Sequence, residues 1–467
     1  PGSTYTGSAY PGSACPGNAD EAEMVIDIDA LSPEVKRNAV RFEEKTDLKR
    51  TLYKKLSEDT GRSLPWGTLT GIRPVRIVEM LEAEGMDKKA VRKTLLDRFL
   101  LSEEKAGLVM DIAKREKNVL APFDFRNECS IYIGIPFCPT RCLYCSFASN
   151  PADRQNDRTD EYLDALIKEM KALAAGHKDN ELAVFDSSRV RTIYVGGGTP
   201  TALSAAQLEK LLSEAEKCFG TGASEFTVEA GRPDSITREK LEVLKAHRVT
   251  RISINPQSFN QRTLDIIGRR HTVREVYEAY ELARGLGFDN INMDLIMGLP
   301  GEGTEEVRHT LRCVRELGPE SLTVHTLAVK KASRLSTEGK AWGGVERKAF
   351  DGNAADAKEM SMMTELGAEC AASLGMAPYY LYRQKNMAGN QENVGYALPG
   401  RECLYNILMM EEKHTVYGLG AGSSTKIVYK SENAEDEFLK KSVFRIKRSD
   451  NVKNLNDYLL YNFTKSI

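Results

Sequence analysis

Between residues 123 and 340 the apolar pattern switches repeatedly between two periods. Short strand-like runs recur at Ser130-Ile-Tyr-Ile-Gly-Ile, Thr192-Ile-Tyr-Val, Glu225-Phe-Thr-Val-Glu, Arg251-Ile-Ser-Ile-Asn, Asn290-Ile-Asn-Met-Asp-Leu-Ile and Ser321-Leu-Thr-Val-His-Thr. Between them apolar residues return every three or four positions. Tyr162, Leu166, Met170 and Leu173 fall on one helical face, and Ser204-Ala-Ala-Gln207 is a capping box opening a helix that carries Leu208, Leu211 and Leu212. Six strands alternating with helices predict a parallel sheet, and right-handed crossovers curl such a sheet into most of a barrel. The expected fold class is α/β, a six-stranded partial (β/α)6 barrel.

The flanks have other rhythms. Residues 1–21 are rich in Gly, Ser, Pro, Thr and Ala, offer little apolar surface against ordering entropy, and are expected to be a disordered tail. Residues 22–122 read as a small, mostly helical domain, with a strand at Met24-Val-Ile-Asp-Ile-Asp and helical runs over Val35 to Leu56, Val75 to Glu84 and Lys88 to Asn118. Val75, Val78, Met80 and Leu81 lie near one face. Of two readings for Trp66, Arg73 and Pro74 in the loop from Leu64 to Pro74, ligand contact and fixing the loop's own shape, the second is the expectation. Residues 341–467 read as a C-terminal α+β domain closing over the barrel mouth. Its parts are a Met-rich helix over Ala354 to Leu374, a strand at Pro378-Tyr-Tyr-Leu-Tyr-Arg, a glycine-rich turn in Val416 to Ser424 and a mixed end from Ser431.

Charge and cysteine content narrow the function classes. Lys and Arg number 65 against 67 Asp and Glu, a formal net charge of −2, which gives no overall footprint for nucleic acid or membrane. There is no 18-residue apolar run and no signal-peptide pattern, so a cytoplasmic protein is expected. Nine cysteines in 467 residues are too sparse for a disulfide scaffold and suit a reducing compartment.

Three of those cysteines form a motif. Cys138, Cys142 and Cys145 follow the first predicted barrel strand in C-x3-C-x2-C spacing, and a loop of this length can turn three sulfurs toward one point. A structural zinc site needs a fourth ligand at short range. Cys129 belongs to the strand pattern and the next cysteine is Cys218, so the spacing points instead to a 4Fe-4S cluster held through three irons. Three buried thiols or an adventitious zinc site are the plain alternatives. Ligands of parallel α/β sheets sit beyond the carboxyl ends of the strands. Gly196-Gly197-Gly198-Thr199-Pro200 after the second strand, Glu229 ending the third, Gln257 after the fourth and Asp294 on the fifth share that address with the cysteines. The glycines leave backbone groups unshielded for close approach of a ligand. An ionised Glu229 needs a cationic or donor partner, whether a ligand or an ordinary salt bridge.

With Tyr144 just before the third cysteine, Ile135-Pro-Phe-Cys-Pro-Thr-Arg-Cys-Leu-Tyr-Cys-Ser-Phe resembles the radical S-adenosylmethionine (SAM) enzymes, and within them the oxygen-independent coproporphyrinogen III oxidase family. Leu69-Thr-Gly-Ile-Arg-Pro and Tyr380-Leu-Tyr-Arg-Gln-Lys-Asn-Met-Ala-Gly-Asn resemble its HemZ-like branch. The resemblance implies a TIM-like partial barrel of radical SAM type, with Cys138, Cys142 and Cys145 as cluster ligands. It places Tyr132, Gly197, Gly198, Thr199, Glu229, Gln257, Arg269 and Asp294 around SAM. It further implies a low-potential electron donor such as flavodoxin or ferredoxin, and a 5′-deoxyadenosyl radical that takes hydrogen from a propionate. Loss of carbon dioxide and an electron then leaves a vinyl group, twice per coproporphyrinogen III, giving protoporphyrinogen IX. Arg141, Lys330, Lys331, Arg383 and Lys385 are candidate propionate partners by location, while His271 and His325 are read as structural or supporting.

Three positions depart from the family pattern: Gly134 where His is frequent, Phe147 where a further cysteine is frequent, and Leu404-Tyr405-Asn406 in place of the His-Asn pair of the related haem chaperones. Other radical SAM chemistry on a tetrapyrrole, such as methyl transfer or ring opening, and haem trafficking with a retained cluster are the alternative functions.

Overall fold

A computed structural model describes residues 33–461 apart from 72, 125–126, 147–149, 152–155, 177–184, 331–332, 338–353, 385–386 and 431–443. The expected tail, the strand at Met24 and Phe147 lie outside the described residues.

The six patterned runs form β1 (Cys129–Ile135), β2 (Val190–Gly197), β3 (Glu225–Gly231), β4 (Arg251–Ile254), β5 (Ile291–Met297) and β6 (Ser321–Thr326). They pair in sequence order and all in parallel. Sequential parallel pairing requires a crossover after each strand. These contain α5 (Asn156–Ala174), α6 (Ala205–Phe219), α7 (Arg238–Ala246), α8 (Gln261–Ile266), α9 (Val273–Gly285) and α10 (Thr304–Leu317). The capping box at Ser204 is present, and Tyr162, Leu166, Met170 and Leu173 are all buried. This is the α/β partial barrel anticipated from the pattern.

The six strands are not the whole sheet. The strands after residue 340, β7 (Ala377–Tyr382), β8 (Asn393–Ala397), β9 (Thr415–Leu419), β10 (Ser424–Lys430) and β11 (Phe444–Asp450), extend the same sheet. Its order is β11-β10-β9-β1-β2-β3-β4-β5-β6-β8-β7. Strand β9 runs parallel to β1 and β8 antiparallel to β6, so C-terminal strands flank both edges of the six. The sheet has no boundary at residue 340.

N-terminal to the barrel lie α1 (Pro33–Thr60), α2 (Val75–Ala83), α3 (Lys88–Asp97) and α4 (Glu103–Leu120). Val75, Val78 and Leu81 are buried on α2, while Met80 is only partly covered. The loop between α1 and α2 is structural. Trp66 is fully buried, its Nε1 donates to Glu392 Oε2 at 2.8 Å, and Arg73 pairs with Glu412. Lys105 Nζ donates to the other Glu392 oxygen at 2.8 Å. The helical segment is thereby tied to the C-terminal strands through buried charge.

The C-terminal segment meets both ends of the barrel: Ala388 N donates to Leu327 O at 3.1 Å just past the carboxyl end of β6, and one helix lies at the amino ends of the strands. After α11 (Arg334–Thr337) and α12 (Ala354–Ser373), helix α13 (Leu404–Glu411) follows Cys403, whose side chain caps nothing. Its first amides are capped from across the fold. Glu225, the first residue of β3, accepts from Leu404 N at 2.6 Å, Tyr405 N at 3.2 Å and Cys403 Sγ at 3.3 Å. Arg251, the first residue of β4, is buried beside them and donates to Ser321 Oγ at 3.2 Å. A buried carboxylate and a buried guanidinium at the amino ends of neighbouring strands give α13 a charged dock that no apolar periodicity encodes.

Candidate cluster and cofactor site

The cysteine loop leaves β1 through Pro136 and folds over the carboxyl ends of the strands. Leu143 N donates to Ile267 O at 2.9 Å, Thr140 Oγ1 to Gly268 O at 3.1 Å, and Leu335 N to Leu143 O at 2.9 Å. The loop is therefore seated on the turn after α8. Cys142 is buried, while Cys138 and Cys145 are partly exposed. Among the described residues the group of three carboxylate, thiol or imidazole donors within 4.8 Å of one another is Glu79, Glu116 and Glu411, away from the cysteines.

The glycine loop lies directly against this motif. Gly198 N donates to Ile135 O at 2.8 Å, Thr199 N to Phe137 O at 2.7 Å, and Thr199 Oγ1 approaches Cys138 Sγ at 3.5 Å. A Cβ on Gly198 would stand 2.5 Å from Phe137 O and 3.0 Å from the Cys138 sulfur. Gly197 sits at φ +109, a conformation side chains rarely adopt. The triple glycine thus packs the second strand end onto the first cysteine.

Polar side chains collect beneath the loop. Glu229 accepts from Tyr194 Oη at 2.6 Å, and burial pushes its carboxyl up to about 7, reinforced by the charge of Asp294 and opposed by Tyr194, the Gly197 amide and Arg251. For Asp294 burial acts upward, but His325, Asn292 and Thr323 outweigh it and hold its carboxyl below the usual range. Asn292 Nδ2 donates to Asp294 at 2.7 Å. Gln257 adopts φ +67 in the turn after β4, where its N–H donates to Asp294 O and its carbonyl accepts from Ile296 N. A non-glycine residue in this region is strained by roughly 1–2 kcal/mol, a cost met most often at ligand sites. Buried Gln257 Oε1 and Asn255 Oδ1 have no hydrogen-bond partner among the described residues. Uncompensated buried amide oxygens at the strand ends fit a polar ligand in that space.

Arg269 is more occupied than the sequence suggests. Its Nη2 donates to Asn255 O at 2.8 Å and Gly231 O at 3.3 Å, and Nη1 to Tyr144 Oη at 3.2 Å, leaving Nε without a partner. It therefore braces β3, β4 and the cysteine loop together. Tyr132 stands lower in the barrel in a stack with Tyr194 and Tyr405, its ring centroid 6.1 Å from each, with Tyr194 and Tyr405 4.5 Å apart. Only Tyr194 of the three carries the contact to Glu229.

The propionate candidates divide. Arg383 is buried against Trp66, spends Nη1 on Leu69 O at 2.7 Å and Nη2 on Asn390, and so belongs to the N-terminal junction. Lys330 is half-buried near Cys145, and burial lowers its ammonium below the ordinary value. Arg141 is exposed on the cysteine loop, while Lys331 and Lys385 lie outside the described residues. Gly134 O accepts from Tyr162 Oη at 2.5 Å, and a Cβ there would meet Leu419 O and the Tyr132 ring at 3.4 Å, ordinary contact. His271 is fully buried with both ring nitrogens unpartnered. Burial together with Arg269 and Arg232 pushes its imidazolium down to about 3, so it is neutral.

One residue at this site escaped the sequence reading. Arg232, just past β3, donates through Nη1 to Thr140 Oγ1 at 2.9 Å and Cys142 Sγ at 3.8 Å, and its other face is paired with Asp234. Its signal was its place at a strand end, the same rule that located Glu229.

A thiol-rich loop over polar strand ends of a parallel partial barrel defines a radical SAM protein, and the Radical SAM superfamily model matches residues 132–314. The HemZ oxygen-independent coproporphyrinogen-III oxidase-like protein of Bacillus subtilis is 42% identical over 400 residues, covering 85% of this chain and 77% of that protein. The haem chaperone HemW of the same organism is 39% identical over 203 residues, covering 43% of this chain and 51% of its own. The solved structure of coproporphyrinogen III oxidase (HemN) from Escherichia coli aligns with TM-score 0.49 at 22% identity, over 73% of this chain and 72% of that one. The chain belongs to the radical SAM superfamily, in its coproporphyrinogen-III oxidase-like family with HemZ. The cofactors of that superfamily are a 4Fe-4S cluster and SAM. No helix among the described residues is long and apolar enough to cross a membrane.

Proposed function

We propose that the protein oxidatively decarboxylates propionate groups of coproporphyrinogen III to vinyl groups, giving protoporphyrinogen IX. Bound and reduced, the cluster and SAM supply hydrogen-atom abstraction. In this reading Cys138, Cys142 and Cys145 hold the cluster, with Thr199 and the glycine loop set against the first of them. Gly197 and Gly198 admit the methionyl part of SAM, while Glu229, Gln257, Arg269 and Asp294 meet its polar groups. Tyr132 supports the site from below through the tyrosine stack. The ionised Asp294 and the partnerless Gln257 oxygen accept hydrogen bonds from a ligand hydroxyl or ammonium, and neutral His271 adds no competing charge. A low-potential donor such as flavodoxin or ferredoxin provides the electron.

The observation that carries the substrate reading is the cation pair at the mouth. Lys330 beside Cys145 and Arg141 on the cysteine loop set positive charge where an anionic tetrapyrrole would meet the reacting centre. Against haem trafficking stands Leu404-Tyr405-Asn406 in place of the chaperones' His-Asn pair, with Tyr405 buried in the tyrosine stack.

The test is an anaerobic assay with SAM, a reductant and coproporphyrinogen III, read by mass spectrometry. Vinyl products with matching 5′-deoxyadenosine are expected. Stable stoichiometric haem binding with no substrate-dependent 5′-deoxyadenosine would select the trafficking alternative. Reconstituted protein is expected to hold about four irons, and Cys142→Ala to lose the cluster absorbance.

A further inference from the structure

Arg232 is held in one orientation against a cysteine sulfur. It is 3% exposed at the carboxyl end of β3, one residue before the turn Pro233–Ser235. Its carbonyl accepts from Ser235 N at 2.9 Å and Ser235 Oγ at 2.7 Å, which pins the backbone. Asp234 grips one edge of the guanidinium, taking Nε at 2.9 Å and Nη2 at 2.7 Å. That bidentate pair leaves Nη1 a single direction, toward Thr140 Oγ1 and O and the Cys142 sulfur. A planar fork locked by a carboxylate presents its remaining N–H groups without rotational freedom.

We propose that Arg232 tunes the reduction potential of the cluster. The inference rests on the reading of Cys142 as a cluster ligand. Reduction adds one electron to the cluster and its thiolates, with no bond made or broken. A fixed cation donating to a ligand sulfur in a buried site favours the more negative, reduced form, since hydrogen bonds to the sulfurs and local charge are among the levers on such potentials. Asp234 opposes that effect, because its carboxylate offsets part of the guanidinium charge while setting its direction. Arg232 is thus a positioning residue with an electrostatic output, and Asp234 sets the size of that output.

The two residues therefore predict shifts of opposite sign. In an anaerobic redox titration of reconstituted full-length protein, followed by the paramagnetic signal of the reduced cluster, Arg232→Gln should disfavour reduction about tenfold. That is a fall of about 59 mV for a one-electron couple. Asp234→Asn, which keeps the cation and removes the opposing charge, should raise the potential. A loop clamp without electrostatic output predicts no shift, or shifts in the same direction from a loosened loop. An unchanged potential in Arg232→Gln with its four irons retained would overturn the inference while leaving the ligand assignment intact. Should Arg232→Gln fail to hold iron, Asp234→Asn decides: a raised potential supports the role, and an unchanged or lowered one removes it. Loss of the ligand reading itself would show separately, as Cys142→Ala retaining a full cluster.

Discussion

Glu229 carries its own pH signature. Its carboxyl is pushed up from 4.5 to about 7 by burial and by Asp294. Between those values the folded protein holds a proton that the unfolded chain has released, so stability falls as pH rises from about 4.5 to about 7. Glu229→Gln has no proton to lose there. Relative to the unmodified protein without SAM, the variant should gain on the order of 3 kcal/mol between pH 4 and pH 8, read by urea denaturation at both. An equal difference at the two pH values would remove the raised carboxyl. The sequence showed that an acid ends this strand; the raised protonation pH depends on Asp294, 65 positions later, and on how deeply both are buried. Arg232 illustrates the reverse case, an ordinary surface-type residue in sequence that the turn after β3 carries to a cysteine sulfur.

At the scale of elements, the strand-loop units of β1 and β2 hold each other. The glycine loop accepts no side chain at residue 198, because a Cβ there would overlap Phe137 O and crowd Cys138 Sγ. Gly198→Ala should therefore displace the cysteine loop and cut iron incorporation severalfold, measured as iron per chain after reconstitution; full occupancy would show that the loop yields cheaply. Both β1 and β2 were legible from alternation and β-branched residues, and the capping box at Ser204 from its spacing. The docking of α13 was not legible. Its amide donors are capped by Glu225 from β3, about 180 positions away, and helix periodicity records only which face is apolar.

For the whole molecule the decisive contacts are buried charges joining segments remote in sequence. Glu392 receives Trp66 from the α1–α2 loop and Lys105 from α4, and all three are buried. Lys105 Nζ also pairs with the exposed Glu104 at 2.9 Å, so removing Glu392 leaves its ammonium one solvent-facing partner in a poorly solvated place, at a cost of about 3 kcal/mol, the low end for breaking a buried pair. Glu392→Ala is accordingly expected to lower the unfolding midpoint by that order in chemical denaturation and to loosen the helical segment, seen as faster amide exchange in α4. A loss below about 1 kcal/mol would mean that Glu104 alone satisfies Lys105.

The sequence by itself determined the alternation of strand and helix, the parallel order of β1 to β6 and the carboxyl-end address of the polar motifs, since these follow from local periodicity and the handedness of crossovers. The C-x3-C-x2-C spacing marked the candidate cluster motif in the same local way. Tertiary structure alone decided that C-terminal strands flank both edges of the sheet, that α13 docks on Glu225, and that Arg232 reaches Cys142. Those outcomes depend on pairing buried charges and edge amides between segments tens to hundreds of residues apart, which leaves no periodic trace along the chain.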